Sequence, residues 1–248
     1  MQQLIVNAKD MGLSAGVNKG IIQGYRNGII SSVSMLVNLP SWEHALRHIA
    51  PFPGLGVGLQ FNISLGKPVS PPQAVKSLVD PEGSFHGEWD ELALAPAEEI
   101  RAELCAQLDL FKKGRLKPTH IDGFEDILAQ ENVLSAVLPV ASRLRIPVCS
   151  YLQAWDRFKY FRVPTVTACV DSFGGRGANR PNLERLLGGC RHELTEFRCR
   201  PGLVDSRLND FTDYAWERER ELAVLCSINK EQVIAKFRLH LVDFSAVS

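Results

Sequence analysis

Val6-Asn7-Ala8-Lys9-Asp10-Met11-Gly12-Leu13-Ser14 decides how the rest of the chain is read. The apolar run from Leu4 to Ala8 predicts a short buried strand. Asp10 to Ser14 predict a turn, and Ser14 predicts the N-cap of the next helix, because its hydroxyl can accept from an early helical N–H. Lys9-Asp10 therefore sits where a strand ends and a helix is about to begin. In an α/β barrel that edge gathers functional side chains. Taken alone, the pair also reads as an ordinary solvated turn.

Downstream the pattern repeats. Ser14 to Asn27 predicts a helix, with Val17, Ile21, Ile22 and Tyr25 at helical spacing and Gly28 as its stop. Val33–Asn38 and Val57–Asn62 read as strands, separated by a helix over Pro40–Ile49. Residues 64–94 are irregular and proline-rich. Phe85, His86 and Trp89 favour a packed lid there over disorder. Pro96–Lys113 predicts a strong helix, acidic at its start and basic at its end. Thr119–Gly123 reads as strand four, Asn132–Leu144 as a helix containing Pro139, and Pro147–Tyr151 as strand five. Residues 154–180 give no clear assignment beyond a strand over Val166–Val170. A short helix over Leu183–Leu187, a strand over His192–Cys199 and a helix over Asp213–Leu225 follow. Val233–Phe244 alternates and predicts a closing strand. Strands alternating with helices imply a parallel sheet with crossovers. The expected fold is α/β: a single (β/α) barrel over residues 1–248, TIM-like, irregular or incomplete, with a long lid loop.

The 248 residues are enough to bury one large core. Lys plus Arg and Asp plus Glu each number 28, so nothing favours nucleic acid or acidic membranes. No apolar run reaches the ~18–20 residues that span a bilayer. Met1-Gln2-Gln3 leads straight into a strand without a basic leader. The six cysteines lack CxxC spacing and read as reduced thiols of a cytoplasmic protein.

Four predicted strand ends carry polar residues that a barrel would bring to one mouth: Lys9-Asp10, Gln60 with Asn62, the run from His120 to Asp126, and Cys199-Arg200-Pro201-Gly202. Their sequence resembles the YdjC-like carbohydrate deacetylases. NAKDMGLSAGVNKGI (7–21) is similar to the family's NADDFGLSxGVNxGI, and GVGLQFNISLGKPV (56–69) to GVGLHLNLTxGxPV. SSVSMLVNLPSWEHA (31–45) and SLVDPEGSF (77–85) resemble its second strand and its lid. AQLDLFKKGRLKPTHIDGF (106–124) is similar to AQxxxFxxxGxxPTHxDxH. CRPG (199–202) stands where the family has CHPG, and Arg218-Glu219-Arg220-Glu221-Leu222 resembles its REXEL helix.

The resemblance implies a divalent metal held by one carboxylate and two histidines, with a neighbouring aspartate as base and a further histidine as acid. Asp10 matches the metal-binding aspartate. The base position holds Lys9, the two ligand-histidine positions hold Gln60 and Phe124, and the histidine before Pro-Gly is Arg200. Phenylalanine has no lone pair to give, and glutamine offers a weak neutral oxygen. Lys9 and Arg200 add positive charge where a cation would sit. At ~4–6 Å and an effective dielectric near 20, each such contact costs roughly 3–4 kcal/mol. The expectation is therefore no metal and no other cofactor.

The remaining residues have alternative readings. Lys9-Asp10 reads as an acid/base pair, a Schiff-base lysine beside a carboxylate, or an inert salt bridge. The pairing Lys9–Asp10 is preferred over Asp10–Arg200, and Lys9→Ala is expected to remove function while leaving the fold intact. Arg200 reads as a clamp for a carboxylate or phosphate, or as a partner for Asp10. His120 joins the candidate catalytic residues, with a structural histidine as the alternative. Asp122 shares its strand face with His120 and Phe124. Gln60, Asn62, Asp122, Phe124 and Glu125 are candidate ligand contacts, and Glu125 and Asp126 are candidate replacement carboxylates or solvated loop acids. His86 and Trp89 would stack on a sugar ring or simply pack the lid. His44, His48, His192 and His240 read as ordinary histidines. The expected partner is a small polar or sugar-like ligand, with a homodimer as the one assembly entertained. Three functions stay open: a repurposed metal-independent enzyme, which is preferred; a non-catalytic binding or scaffold protein; and a deacetylase with altered ligands.

Overall fold

The computed structural model describes residues 2–149 and 154–247. At its centre lies β1 (Gln2–Met11), buried from Leu4 onward. Around it run β2 (Ser32–Met35), β3 (Gly56–Phe61), β4 (Ile121–Gly123), β5 (Ala168–Val170), β6 (Leu194–Cys199) and β7 (Leu239–Leu241). The sheet order is β4-β3-β2-β1-β6-β5, with β7 joined to β1, and each of these ladders is parallel. Parallel neighbours need crossover connections, and helices supply them. These are α1 (Ala15–Asn27), α2 (Trp42–Ile49), α3 (Trp89–Leu94), α4 (Ala97–Lys113), α5 (Glu131–Leu144), α6 (Trp155–Phe161), α7 (Arg180–Gly189), α8 (Trp216–Leu225) and α9 (Lys230–Phe237). The result is an irregular, incomplete (β/α) barrel. Among the described residues, no ladder joins β5 back to β4.

Ser14 caps α1 as its chemistry predicts: Oγ accepts from the Val17 N–H at 3.2 Å. Gly28 ends the helix, its N–H bonded to the Gly24 carbonyl at 3.0 Å. The turn expected from Asp10 onward is instead a continuation of β1. Ala8 pairs Val33 and Met11 pairs Met35, so β1 carries one extra residue there. This is a bulge, and Asp10 takes the left-handed φ of 72°. In a regular strand, consecutive side chains face opposite ways. A bulge re-aims one of them, and here both Lys9 and Asp10 find partners on β3 and β4.

Two expectations are corrected, over Val233–Phe244 and over the fifth strand, while residues 154–180 and the lid are filled in. Val233–Phe244 is not a closing strand; α9 occupies its first part and only Leu239–Leu241 is strand. A capping box between Asn229 and Gln232 starts that helix, and of its residues only Val233 is buried, so the apolar stripe is too thin to reveal its period. Residues 154–180 contain α6. The lid is more ordered than a loop: Val79 bridges Phe85, two 3₁₀ turns cover Pro72–Ala74 and Lys76–Leu78, and α3 follows. Of the predicted fifth strand, Val148 bridges Ile121, while Ser150 and Tyr151 lie outside the described residues.

Below the mouth, β3 and β4 press together around His120. A methyl group on Gly58 would lie 2.3 Å from the His120 ring, so only glycine leaves room for the imidazole. Phe244, just beyond β7, stacks on that ring at 3.9 Å between centroids.

Candidate functional site

The C-terminal ends of β1, β3, β4 and β6 deliver the polar residues to one mouth, where active sites of this architecture form. Asp10 is at its floor, 2% exposed. The Gln60 amide grips it twice: Nε2 donates to Oδ1 at 2.9 Å, and Oε1 accepts the Asp10 backbone N–H at 2.7 Å. On the other carboxylate oxygen, Arg218 Nη2 lies at 2.9 Å and Arg200 Nε at 3.9 Å. Burial pushes the Asp10 carboxyl up, but Arg218, Arg200, Lys9 and the Gln60 bond outweigh it and hold the carboxyl below its ordinary range.

Lys9 belongs to a different pair. Its ammonium lies 3.3 Å from Asp122 Oδ2 and donates to the Gly123 carbonyl at 2.9 Å, and its side chain is 1% exposed. The expected Lys9–Asp10 pairing is thus replaced by Lys9–Asp122 and Asp10–Arg218. At the bulge Lys9 reaches β4, whereas Asp10 reaches Gln60 on β3 and Arg218 on α8. Burial pushes Asp122 up, and Lys9, Arg198 and His120 more than offset this, so the carboxyl is held down.

His120 is fully buried. Nε2 meets Ser34 Oγ and Nδ1 meets Thr119 Oγ1, both at 3.0 Å. Burial, only partly opposed by Asp122, brings its pKa to about 3, so the ring is neutral at physiological pH. Asn62 is buried and spends its amide on Asn38 Oδ1 and the Leu65 carbonyl, fastening the start of the lid. His86 pairs with Glu91 at 2.8 Å within the lid, and Trp89 is exposed.

A cavity of about 240 Å³ opens at the mouth, lined by Asp10, Leu13, Phe124, Glu125, Arg200, Thr212, Tyr214 and Arg218. It gathers Asp10, Phe124, Glu125 and Arg200 from the sequence-predicted set. Lys9, Gln60, Asn62, His120, Asp122, His86 and Trp89 do not line it. Glu125 and Asp126 both have left-handed backbone, at φ 46° and 58°. Such strain in side-chain-bearing residues is concentrated at ligand sites. Glu125 accepts from Ser64 Oγ at 3.3 Å, and burial pushes its carboxyl up.

Sequence reasoning missed Arg218, Tyr214 and Glu221 as site residues. Arg218 Nε donates to the Tyr214 carbonyl at 2.8 Å, and the Tyr214 hydroxyl donates to Glu221 Oε1 at 2.5 Å. Glu221 Oε2 accepts the Arg200 backbone N–H at 2.6 Å, and burial raises its carboxyl. The available signal was Arg218 and Glu221 three residues apart, one face of a helix.

These features define an incomplete (β/α) barrel with an acid-and-guanidinium mouth. The model of the YdjC-like protein family matches residues 3–236, and the chain belongs to that family. A carbohydrate deacetylase of Geobacillus stearothermophilus is 36% identical over 241 residues, 97% of this chain and 96% of the relative. One from Clostridium beijerinckii is 32% identical, covering 99% of this chain and 100% of its own. A solved Enterococcus faecalis V583 structure, described as a candidate cellobiose-phosphate cleavage protein, superposes with a TM-score of 0.92 at 25% identity, covering 99% of this chain and 98% of that one.

The metal that the family resemblance implies is tested by these donors. A divalent cation needs several converging oxygens or imidazoles. Here both oxygens of Asp10 face N–H groups, two of them on guanidiniums, and Phe124 has nothing to donate. Among the described residues, no three His, Cys, Asp or Glu side chains converge as a ligand set. The residues present do not fit a divalent cation.

Proposed function

We propose that this chain is a carbohydrate-deacetylase-like protein that has lost metal-dependent deacetylation and uses its mouth on a small polar or sugar-like ligand without a metal. The observation that carries this reading is the Asp10 carboxylate, engaged by Gln60, Arg218 and Arg200 together. Displacing those donors for a cation would strand two cations beside a third charge, at roughly 3–4 kcal/mol per like-charge contact. The ligand sits against Asp10, Arg200 and Arg218. Glu125, whose carboxyl burial pushes toward the neutral form, is the acid or base open to the cavity. Lys9 and His120 support the floor rather than touch the ligand. The setting is cytoplasmic, in keeping with six free cysteines.

A purely binding, non-catalytic role is the second reading. It is favoured by Lys9, whose amine is committed to Asp122 and Gly123 and does not line the cavity.

Elemental analysis and an acetate-release assay on N-acetylated chitooligosaccharides test the proposal. The expected result is neither stoichiometric metal nor acetate. Chelator-sensitive acetate release, with about one metal per chain lost on Asp10→Ala, would overturn it.

A further inference from the structure

We propose that the mouth holds an oxyanion, the phosphate or carboxylate group of a small ligand, between Arg200 and Nη1 of Arg218. This rests on the metal-free reading above and names the ligand class for the same site.

Arg218 is buried, with its side chain 3% exposed. Nη2 serves Asp10 and Nε serves the Tyr214 carbonyl, but among the described residues Nη1 has no hydrogen-bond partner. A charged donor shielded from water and left without an acceptor is costly. It lies in a residue that lines the cavity, so a ligand can supply the missing acceptor.

Arg200 adds to the demand. Its nearest acid, Asp10, is 3.9 Å from Nε, beyond hydrogen-bond reach. Among the described residues its guanidinium makes no hydrogen bond, whereas its backbone N–H is anchored to Glu221. The cavity is thus lined by the Arg200 guanidinium, which makes no hydrogen bond among the described residues, and by Arg218, whose Nη1 lacks an acceptor. Asp10 is already saturated, and Glu125 is shifted toward neutrality by burial, which weakens its opposition to an anion. Neutral sugar hydroxyls would satisfy such donors, but charged oxygens do so about twice as strongly and match the planar guanidinium fork.

The full-length protein would be titrated calorimetrically with inorganic phosphate, N-acetylglucosamine 6-phosphate, glucuronate and neutral N-acetylglucosamine. At least one anion should bind ten-fold or more tightly than the neutral sugar, and the tighter arm identifies phosphate or carboxylate. Arg200→Gln should weaken that binding at least ten-fold with an unchanged melting temperature, and Arg200→Lys should restore part of it. Metal content is measured on the same samples. About one divalent ion per chain would overturn the metal-free reading and this inference together. Metal-free protein that binds no anion better than the neutral sugar, or that loses nothing on Arg200→Gln, would overturn the inference alone.

Discussion

Lys9 and Asp10 are chain neighbours that serve separate ion pairs, and this changes what substitution at either would do. Lys9→Ala strands Asp122 in a buried site, where loss of one partner typically costs about 3–5 kcal/mol. The fold is therefore expected to weaken measurably, against the sequence-based expectation of an intact fold. Denaturant midpoints check this, and Lys9→Met combined with Asp122→Asn should lose less than Lys9→Ala alone. His120 sets a pH dependence. Its folded pKa of about 3 lies below its ordinary 6.5, so between these values the unfolded chain holds the extra proton. Its stabilising contribution is complete above pH 6.5 and is lost as pH falls, by up to about 1.4 kcal/mol per unit. Asp10 and Asp122, both held down, add their losses at lower pH. Unfolding free energies between pH 6.5 and 4.5 should show the histidine slope, and His120→Asn should flatten it. Asp10 was legible at the mouth because an apolar strand ends close to it and Ser14 caps the helix that follows, although the turn expected there is strand. Its true partner was not, because Arg218 sits in a helix where charged residues dominate and only the fold turns it inward.

Among the elements, the β3–β4 contact and α9 carry the clearest consequences. Gly58→Ala places a methyl group against the His120 ring, which is held by Ser34 and Thr119 and stacked on Phe244. Overpacking of this kind costs about 1–3 kcal/mol. Thermal melting should show the loss, and Gly54→Ala, where the nearest neighbour is a tyrosine hydroxyl at 3.3 Å, should cost less. Asn229→Ala removes a capping box and should cost about 1 kcal/mol in denaturant unfolding. The sequence displayed α1 and α4 plainly, since each has a sharp start, a basic end and a glycine stop. It hid α9, whose eight residues bury only Val233. The bulge was equally invisible, because its extra residue exists only relative to the register of β2.

At the scale of the whole molecule, β1 has neighbours on both sides: β6 along Gln3–Ala8, and on the other edge β7 at Gln2–Leu4 and β2 from Asn7. Strands held in this way open only with the entire core. Amides of Leu4–Ala8 should therefore exchange with solvent only by global unfolding, while lid amides near Trp89 exchange through smaller openings. Hydrogen-exchange mass spectrometry at increasing denaturant would separate the two. The alternating pattern was legible at this scale, and so was the convergence of four strand ends on one mouth. The placement of β7 beside β1 was not, since it pairs residues from opposite ends of the described chain. That placement bears on synthesis. At ~5–20 residues per second, the partner of Gln2–Leu4 leaves the ribosome roughly 10–50 s after them. For most of that interval the Gln3–Leu4 end of this central strand waits without its neighbours on either edge, since β6 also emerges late, in reach of chaperones and of other nascent chains.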